Sequence, residues 1–289
     1  MMNDTKTIII SNYSKINVQC GKPIFRTINS DDFVIEPFGP GLGDTLWHSH
    51  LPKLAKKKGY RRVLISLDAE YRNNEYKNII WELNPFVDGY CLRGRDNKYE
   101  LPNLQHFLDK NSKKLNLLDY IMLYFELDDG LRFHKPELYY RPNRLEFLKE
   151  SVIYDPNFVS NPRIEQESFA LVRKYFVSKK IHFDYQLKPL HKNSINITNK
   201  DIAIGDYQQN IEIYNNFNYY LECGSFRDFC DVIFSAKKIY CFTTGTLVLA
   251  DSLNQSCSIL LTEDITYPIH SNMHNYINLK ANYDGQNNS

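Results

Sequence analysis

The sequence predicts an α/β fold built from mainly parallel sheets in two successive halves, and three observations carry that reading. Short apolar runs alternate with amphipathic helical stretches, the pattern of parallel strands joined by crossover helices. Two strand-to-helix turns are rich in glycine or threonine, at residues 39–44 and 243–246. Between them, residues Leu131 to Asn143 carry prolines, tyrosines and charges that fit a connection between domains.

The elements follow in order. Thr7–Ser11 reads as an opening strand, and residues 17–28 as a hairpin. Phe33-Val34-Ile35 is a short strand ending at Glu36-Pro37. After the turn Gly39-Pro40-Gly41-Leu42-Gly43-Asp44, residues Trp47, Leu51, Leu54 and Ala55 recur at helical spacing up to Lys58-Gly59. Val63–Leu67, closed by Asp68, is a buried strand. Tyr76, Ile79, Ile80 and Leu83 mark a helix that stops before Asn84-Pro85. Gly89–Leu92 reads as a strand, Leu101–Leu115 as a helix, and Tyr120–Leu127 as a strand broken by Asp128-Asp129-Gly130.

Beyond the connection, Ser151–Tyr154 is a strand leading to Asp155-Pro156-Asn157, Ile164–Val177 an amphipathic helix, and Ile181–Leu187 and Asp201–Gly205 further strands. Ser225 with Asp228 three residues on resembles a capping box, and Phe226, Phe229, Cys230, Ile233 and Phe234 then share a helical face. Lys238–Phe242 is a strand, Leu247–Leu253 a helix and Cys257–Leu261 a strand. The tail, Asn282 to Ser289, is expected to fray. Together these give two Rossmann-like halves joined near residue 140.

Composition narrows the function. A chain of 289 residues with 43% hydrophobic and 24% charged residues buries real cores and accommodates two domains. Lys plus Arg total 35 against 34 acidic residues, and a net charge of +1 argues against a dedicated duplex-DNA binder. The six cysteines (Cys20, Cys91, Cys223, Cys230, Cys241, Cys257) form no C-x-x-C and read as buried thiols in a reducing compartment. No apolar run reaches the about 18 residues of a membrane span, and Met1 to Ser11 is too short for a secretory signal. The expectation is a cytoplasmic protein.

The glycine turn admits two readings from its residues alone. Asp44 caps the following helix, or the turn brings backbone N–H groups close to an anion. A dinucleotide fingerprint fails, because its third glycine falls on Leu46 or on Asp44. Asp68 nevertheless imitates the ribose-binding acid of that motif, so an NAD(P)-dependent oxidoreductase stays open as a rival.

A resemblance sharpens the choice. Gly41-Leu42-Gly43-Asp44-Thr45-Leu46-Trp47-His48-Ser49-His50-Leu51-Pro52, followed by Gly59 and Val63-Leu64-Ile65-Ser66, is similar to the opening of the heptosyltransferase-like glycosyltransferases, family 9. Asn84-Pro85-Phe86-Val87-Asp88 resembles that family's next step. Residues Phe234 to Leu253, with Thr243-Thr244-Gly245-Thr246, resemble its Asp-Ser/Thr-Gly-x-x-His-Leu-Ala stretch, with Thr243 in place of the aspartate and Val248 in place of the histidine.

The resemblance implies a GT-B arrangement and metal-independent, inverting transfer of a sugar from a nucleotide-sugar donor, with no cofactor. It implies a lipopolysaccharide, lipooligosaccharide or capsule acceptor, free or lipid-linked. Residues 1–140 would form an acceptor-side domain, with 1–30 a divergent extension, and 141–289 the nucleotide-sugar domain. Asp44 would be the base, and Thr243, Thr244, Gly245 and Thr246 would hold the donor diphosphate. Gly41, Gly43, Asp128, Asp129 and Asn157 would line the cleft, the two aspartates because strand exits face ligands in open sheets. Peripheral association with the inner face of a membrane is a further expectation. The substitutions at Thr243 and Val248 keep a degenerate, non-catalytic nucleotide- or glycan-binding partner protein as an alternative.

Other candidates are weaker. His48 and His50 face different directions on a helix, His270 and His274 lack a third metal ligand, and Arg61, Arg62, Arg93 and Arg95 read as a solvated face.

Overall fold

A computed structural model describes residues 6–12, 21–92, 115–157, 166–190, 217–261 and 271–280. In chain order the described elements begin with β1 (Thr7–Ile10), β2 (Ile24–Phe25), β3 (Asp32–Ile35), α1 (Leu42–Trp47), α2 (Leu51–Lys58) and β4 (Arg62–Ser66). Next come α3 (Asn74–Tyr76, continuing as a π-helical turn over Lys77–Glu82), β5 (Gly89–Cys91) and α4 (Leu117–Tyr124). A 3-10 turn, Glu146–Leu148, leads to β6 (Val152–Asp155), α5 (Gln166–Ser178), β7 (Phe183–Leu187) and β8 (Phe217–Cys223). The chain continues through α6 (Phe226–Ser235), β9 (Lys238–Cys241), α7 (Gly245–Ser252), β10 (Cys257–Leu261) and β11 (Asn275–Asn278).

Both sheets are parallel throughout, as strands separated by helices require. The first has the order β2-β5-β4-β3 and the second β1-β8-β7-β6-β9-β10-β11. Fully buried Ile35, Leu46, Ile65, Trp81, Phe226 and Leu249 belong to one apolar core that reaches from the first sheet across α1 and α7 to the second. A smaller aromatic core, with Tyr154 stacked on Phe183 at 5.1 Å, also takes in Phe176 and Tyr240.

Four sequence expectations change. The opening strand lies in the second sheet, where Thr7 pairs with Tyr220 and Ile10 with Cys223, rather than with the residues that follow it. Residues 17–28 give no hairpin among the described residues: Ile24–Phe25 pairs in parallel with Tyr90–Cys91. The helix expected from Trp47 to Lys58 is two helices. Pro52 has no N–H, and its ring excludes the carbonyl four residues back, so α1 ends at Trp47 and α2 restarts at Leu51. Tyr120–Tyr124, expected in a strand, is helical, since Asn116 and Asp119 form a capping box that starts α4, and a helix buried nearly all round has no polar face to betray its period. The expected helix at 101–115, the strand at 201–205 and the tail lie outside the described residues, but for Leu115.

Helix α6 holds both segments that pass between the sheets. Asp228 Oδ1 accepts the Asn12 N–H at 2.9 Å. One turn on, Asp231 Oδ1 accepts the Asn143 N–H and the Tyr140 hydroxyl, both at 2.9 Å, and Ser235 Oγ accepts the Leu145 N–H at 2.8 Å. Asp228 and Asp231 are fully buried, so these bonds have no competition from water.

Asp119 performs the same service beyond α4. Its carboxylate accepts N–H bonds from Asn116 (3.1 Å), Phe133 (2.8 Å) and His134 (3.0 Å), and the His134 Nδ1–H at 2.6 Å. Burial works to raise its pKa, but these bonds outweigh it and hold the group below the ordinary carboxylate value. Asp119→Ala should therefore cost about 3 kcal/mol in urea denaturation at pH 7, because buried donors lose their acceptor. With a depressed folded pKa, the contribution is present above about pH 4 and lost as pH falls below it, so the gap between wild type and variant should narrow at pH 3.

Candidate functional site

The turn after β3 is shaped around a carboxylate. Asp44 sits in the first turn of α1 and accepts the Gly41 N–H at 3.0 Å, one of the donors a helix start leaves free. A Cβ on Gly39 would lie 2.5 Å from Asp44 Oδ2, and one on Gly41 2.7 Å from it. Only glycine lets the chain wrap the group this closely.

Burial is the largest influence on Asp44 and raises its pKa, against the Gly41 bond and the positive charge of Arg72. A helix start would by itself keep this acid strong. Withdrawal from water makes it a better base than that position suggests.

Arg72 was not singled out by the sequence. It follows β4, and its N–H bonds to Pro40 O at 2.9 Å, tying its loop to the glycine turn. A signal existed in the topology: parallel neighbours β3 and β4 put their exits side by side.

The turn after β9 starts α7. Thr244 is the N-cap, accepting the Thr246 N–H, and Thr243 is exposed in front of it. Thr246 points inward instead: its hydroxyl donates to Asp155 Oδ2 at 2.6 Å. In the second sheet β6 and β9 are neighbours, yet the chain leaves β6 towards β7 and leaves β9 towards β10. Asp155 and the threonine turn thus occupy the point where strand order reverses, the usual ligand crevice of such sheets.

The two turns meet. A Cβ on Gly43 would lie 3.5 Å from Gly245 Cα, and one on Gly245 would lie 2.9 Å from Leu42 Cβ and 3.0 Å from Gly43 N. Backbone thus touches backbone where α1 and α7 begin.

Other expected residues go elsewhere. Asp128 and Asp129 follow a helix, not a strand. Asp128 pairs with Arg132 at 2.8 Å, and Asp129 faces His134 at 3.2 Å and Lys57 at 3.5 Å. Asn157 spends its amide on Asp155 (2.6 Å) and Leu187 O (3.2 Å). Arg62 grips Asp32 through Nε (2.7 Å), at the opposite end of β3 from Asp44.

His48 and His50 are buried, and burial lowers them to about 4 and about 3, so both are neutral. Each donates to a backbone carbonyl, Asp44 O at 2.7 Å and Leu118 O at 3.2 Å. His270, Arg93 and Arg95 lie outside the described residues. Among the described residues, no group of three or more His, Cys, Asp or Glu is placed to hold a metal ion, and no helix is long and apolar enough to cross a membrane.

No family model matches the chain, and no curated protein sequence matches it. Solved structures do. A family 9 glycosyl transferase from Veillonella parvula matches 89% of this chain and 88% of its own, at 10% identity and a TM-score of 0.51. The iron-containing dodecameric glycosyltransferase TibC of enterotoxigenic E. coli matches 79% of this chain, at 10% identity and a TM-score of 0.52. TibC in complex with ADP-D-β-D-heptose matches 84%, at 8% identity and a TM-score of 0.53. These matches cover 57% and 61% of the TibC chain. At such identities the likeness is one of fold, the α/β GT-B type with parallel sheets.

The contact between the turns makes a sharp contrast between its two glycines. Gly245→Ala should cost about 1–3 kcal/mol in chemical denaturation, because its methyl overlaps Leu42 and the Gly43 backbone. Gly43→Ala meets only ordinary van der Waals contact and should be neutral, or stabilising by up to about 1 kcal/mol from helix propensity.

Proposed function

We propose that the chain is a glycosyltransferase that moves a sugar from a nucleotide-sugar donor to a hydroxyl of a surface glycan, with inversion and without a metal. The observation that supports this reading is the contact of the two turns, in which the start of α1, carrying the half-buried Asp44, meets the threonine-lined start of α7. The fold shared with glycosyltransferases supports it, and TibC's complex with ADP-D-β-D-heptose makes an ADP-sugar the first donor to try. The acceptor side would be built on the first sheet and the donor side on the second, with β1 counted in the second.

In this reading the donor diphosphate lies at the start of α7, met by its free N–H groups, the helix dipole and the hydroxyls of Thr243 and Thr244. Asp44 accepts the proton of the acceptor hydroxyl as that oxygen bonds to the anomeric carbon. The bond from that carbon to the phosphate oxygen breaks, and its electron pair leaves with the nucleoside diphosphate. Arg72 adds positive charge beside Asp44, suited to an acceptor bearing carboxylate or phosphate.

Calorimetry with ADP, UDP, GDP and their sugars tests the donor, and binding of nicotinamide dinucleotides alone would overturn the reading. Asp44→Asn keeps the Gly41 bond, so stability should change by no more than about 1 kcal/mol and nucleotide affinity should hold. Turnover should fall on the order of 100-fold; normal turnover in a folded variant would remove Asp44 from the mechanism. Because Asp44 must be ionised to act and burial raises its pKa, kcat/KM should fall with acid from a pH above the ordinary aspartate value of about 4. Transfer should survive EDTA; loss restored by Mn or Mg would refute the metal-free cradle.

A further inference from the structure

Asp155 ends β6 at the reversal of strand order, and nothing in the proposed transfer uses it. Its side chain is buried and has three described donors, none of them a cation. Oδ2 accepts the Thr246 hydroxyl at 2.6 Å, and Oδ1 accepts Asn157 Nδ2 at 2.6 Å and Asn157 N–H at 3.0 Å. Among the described residues, the titratable groups around it add no positive charge. Cys241 lies beside it in register on β9, and Cys223 of β8 feels Asp155 together with Glu222 and with Asp228 and Asp231 of α6. Strand β7 brings Leu187 O and α7 brings Thr246. Burial already raises the Asp155 pKa, against the Thr246 and Asn157 bonds.

The Thr246 hydroxyl is the link to ligand. While it donates to a carboxylate, it cannot donate to a phosphate at the start of its own helix. We propose that Asp155 is a positioning residue of the donor site, taking up one proton from solvent when a nucleoside diphosphate seats on α7. The neutral carboxyl then donates its O–H to Thr246 Oγ1, and the threonine turns its hydrogen to a phosphate oxygen. Repulsion between two anions across a poorly screened gap is relieved in the same step. The inference rests on the proposed donor site.

Calorimetric titration of ADP into the full chain, in buffers of low and high ionisation enthalpy, counts the protons taken up. ADP's own phosphate titration is common to all variants. Wild type should take up more protons than Asp155→Asn. Its affinity should fall on the order of tenfold relative to that variant between pH 6 and pH 8, since proton uptake makes binding weaken as pH rises. Equal proton counts and parallel pH curves would overturn the inference while leaving the donor site standing. Thr246→Val gives a second reading should Asp155→Asn not fold. Without the hydroxyl, Asp155 loses a bond to its charged form, so uptake should move to higher pH, and an unmoved profile would overturn the proposal. No binding of ADP, UDP or GDP to wild type would overturn the donor reading and this inference together.

Discussion

Backbone contact between Gly43 and Gly245 is the constraint on which the rest of the site depends. Two helix starts, each the positive end of a dipole, are pressed together there, an arrangement that is unfavourable unless negative charge accompanies it. Each start has its own carboxylate: Asp44 folds back onto the N–H of Gly41 before α1, and Asp155 holds Thr246 in the first turn of α7. A third carboxylate, Glu75 from α3, accepts the Phe226 N–H at 2.5 Å where α6 begins, with Tyr76 edge-on to Phe226 at 4.8 Å. Electrostatics thus joins the two sheets at their helix starts, and the apolar core runs beneath.

These carboxylates differ in what they are free to do. Glu75 and Asp228 are engaged in holding backbone. Asp44 keeps one hydrogen bond from the glycine turn, and Asp155 keeps three, so an added proton disturbs few bonds at the former. A base needs spare acceptor capacity, and the proposed role of Asp44 draws on its single described acceptor bond and on a pKa that burial raises.

Much of the frame was legible in the sequence because strands buried on both faces are continuous apolar runs bounded by turn residues. β4, β5, β6, β9 and β10 all fall within two residues of expectation, and Ser225 does cap α6. The misreading of Tyr120–Leu127 has the same origin, since a helix enclosed by apolar neighbours shows the same unbroken run. What sequence could not supply was partnership over distance: that Thr246 turns inward to Asp155, 91 residues away, or that Arg72 flanks Asp44. Asp44 shows the limit most clearly, as its capping position argues for a strong acid and burial reverses the sign.

Strand β1 carries a consequence for how the chain is made. Among the described residues its four residues pair only with β8, so Thr7 must wait for Tyr220 before it has that neighbour. During synthesis an unpaired Thr-Ile-Ile-Ile segment stays exposed while some 200 residues are added at about 5–20 per second, roughly 10 to 40 seconds. Such a segment, uncharged and β-prone, is a ready template for pairing with another nascent chain. The charged lysine at position 6 stands at its start as a gatekeeper. The time this strand spends without its partner is thus a liability separate from the stability of the finished fold.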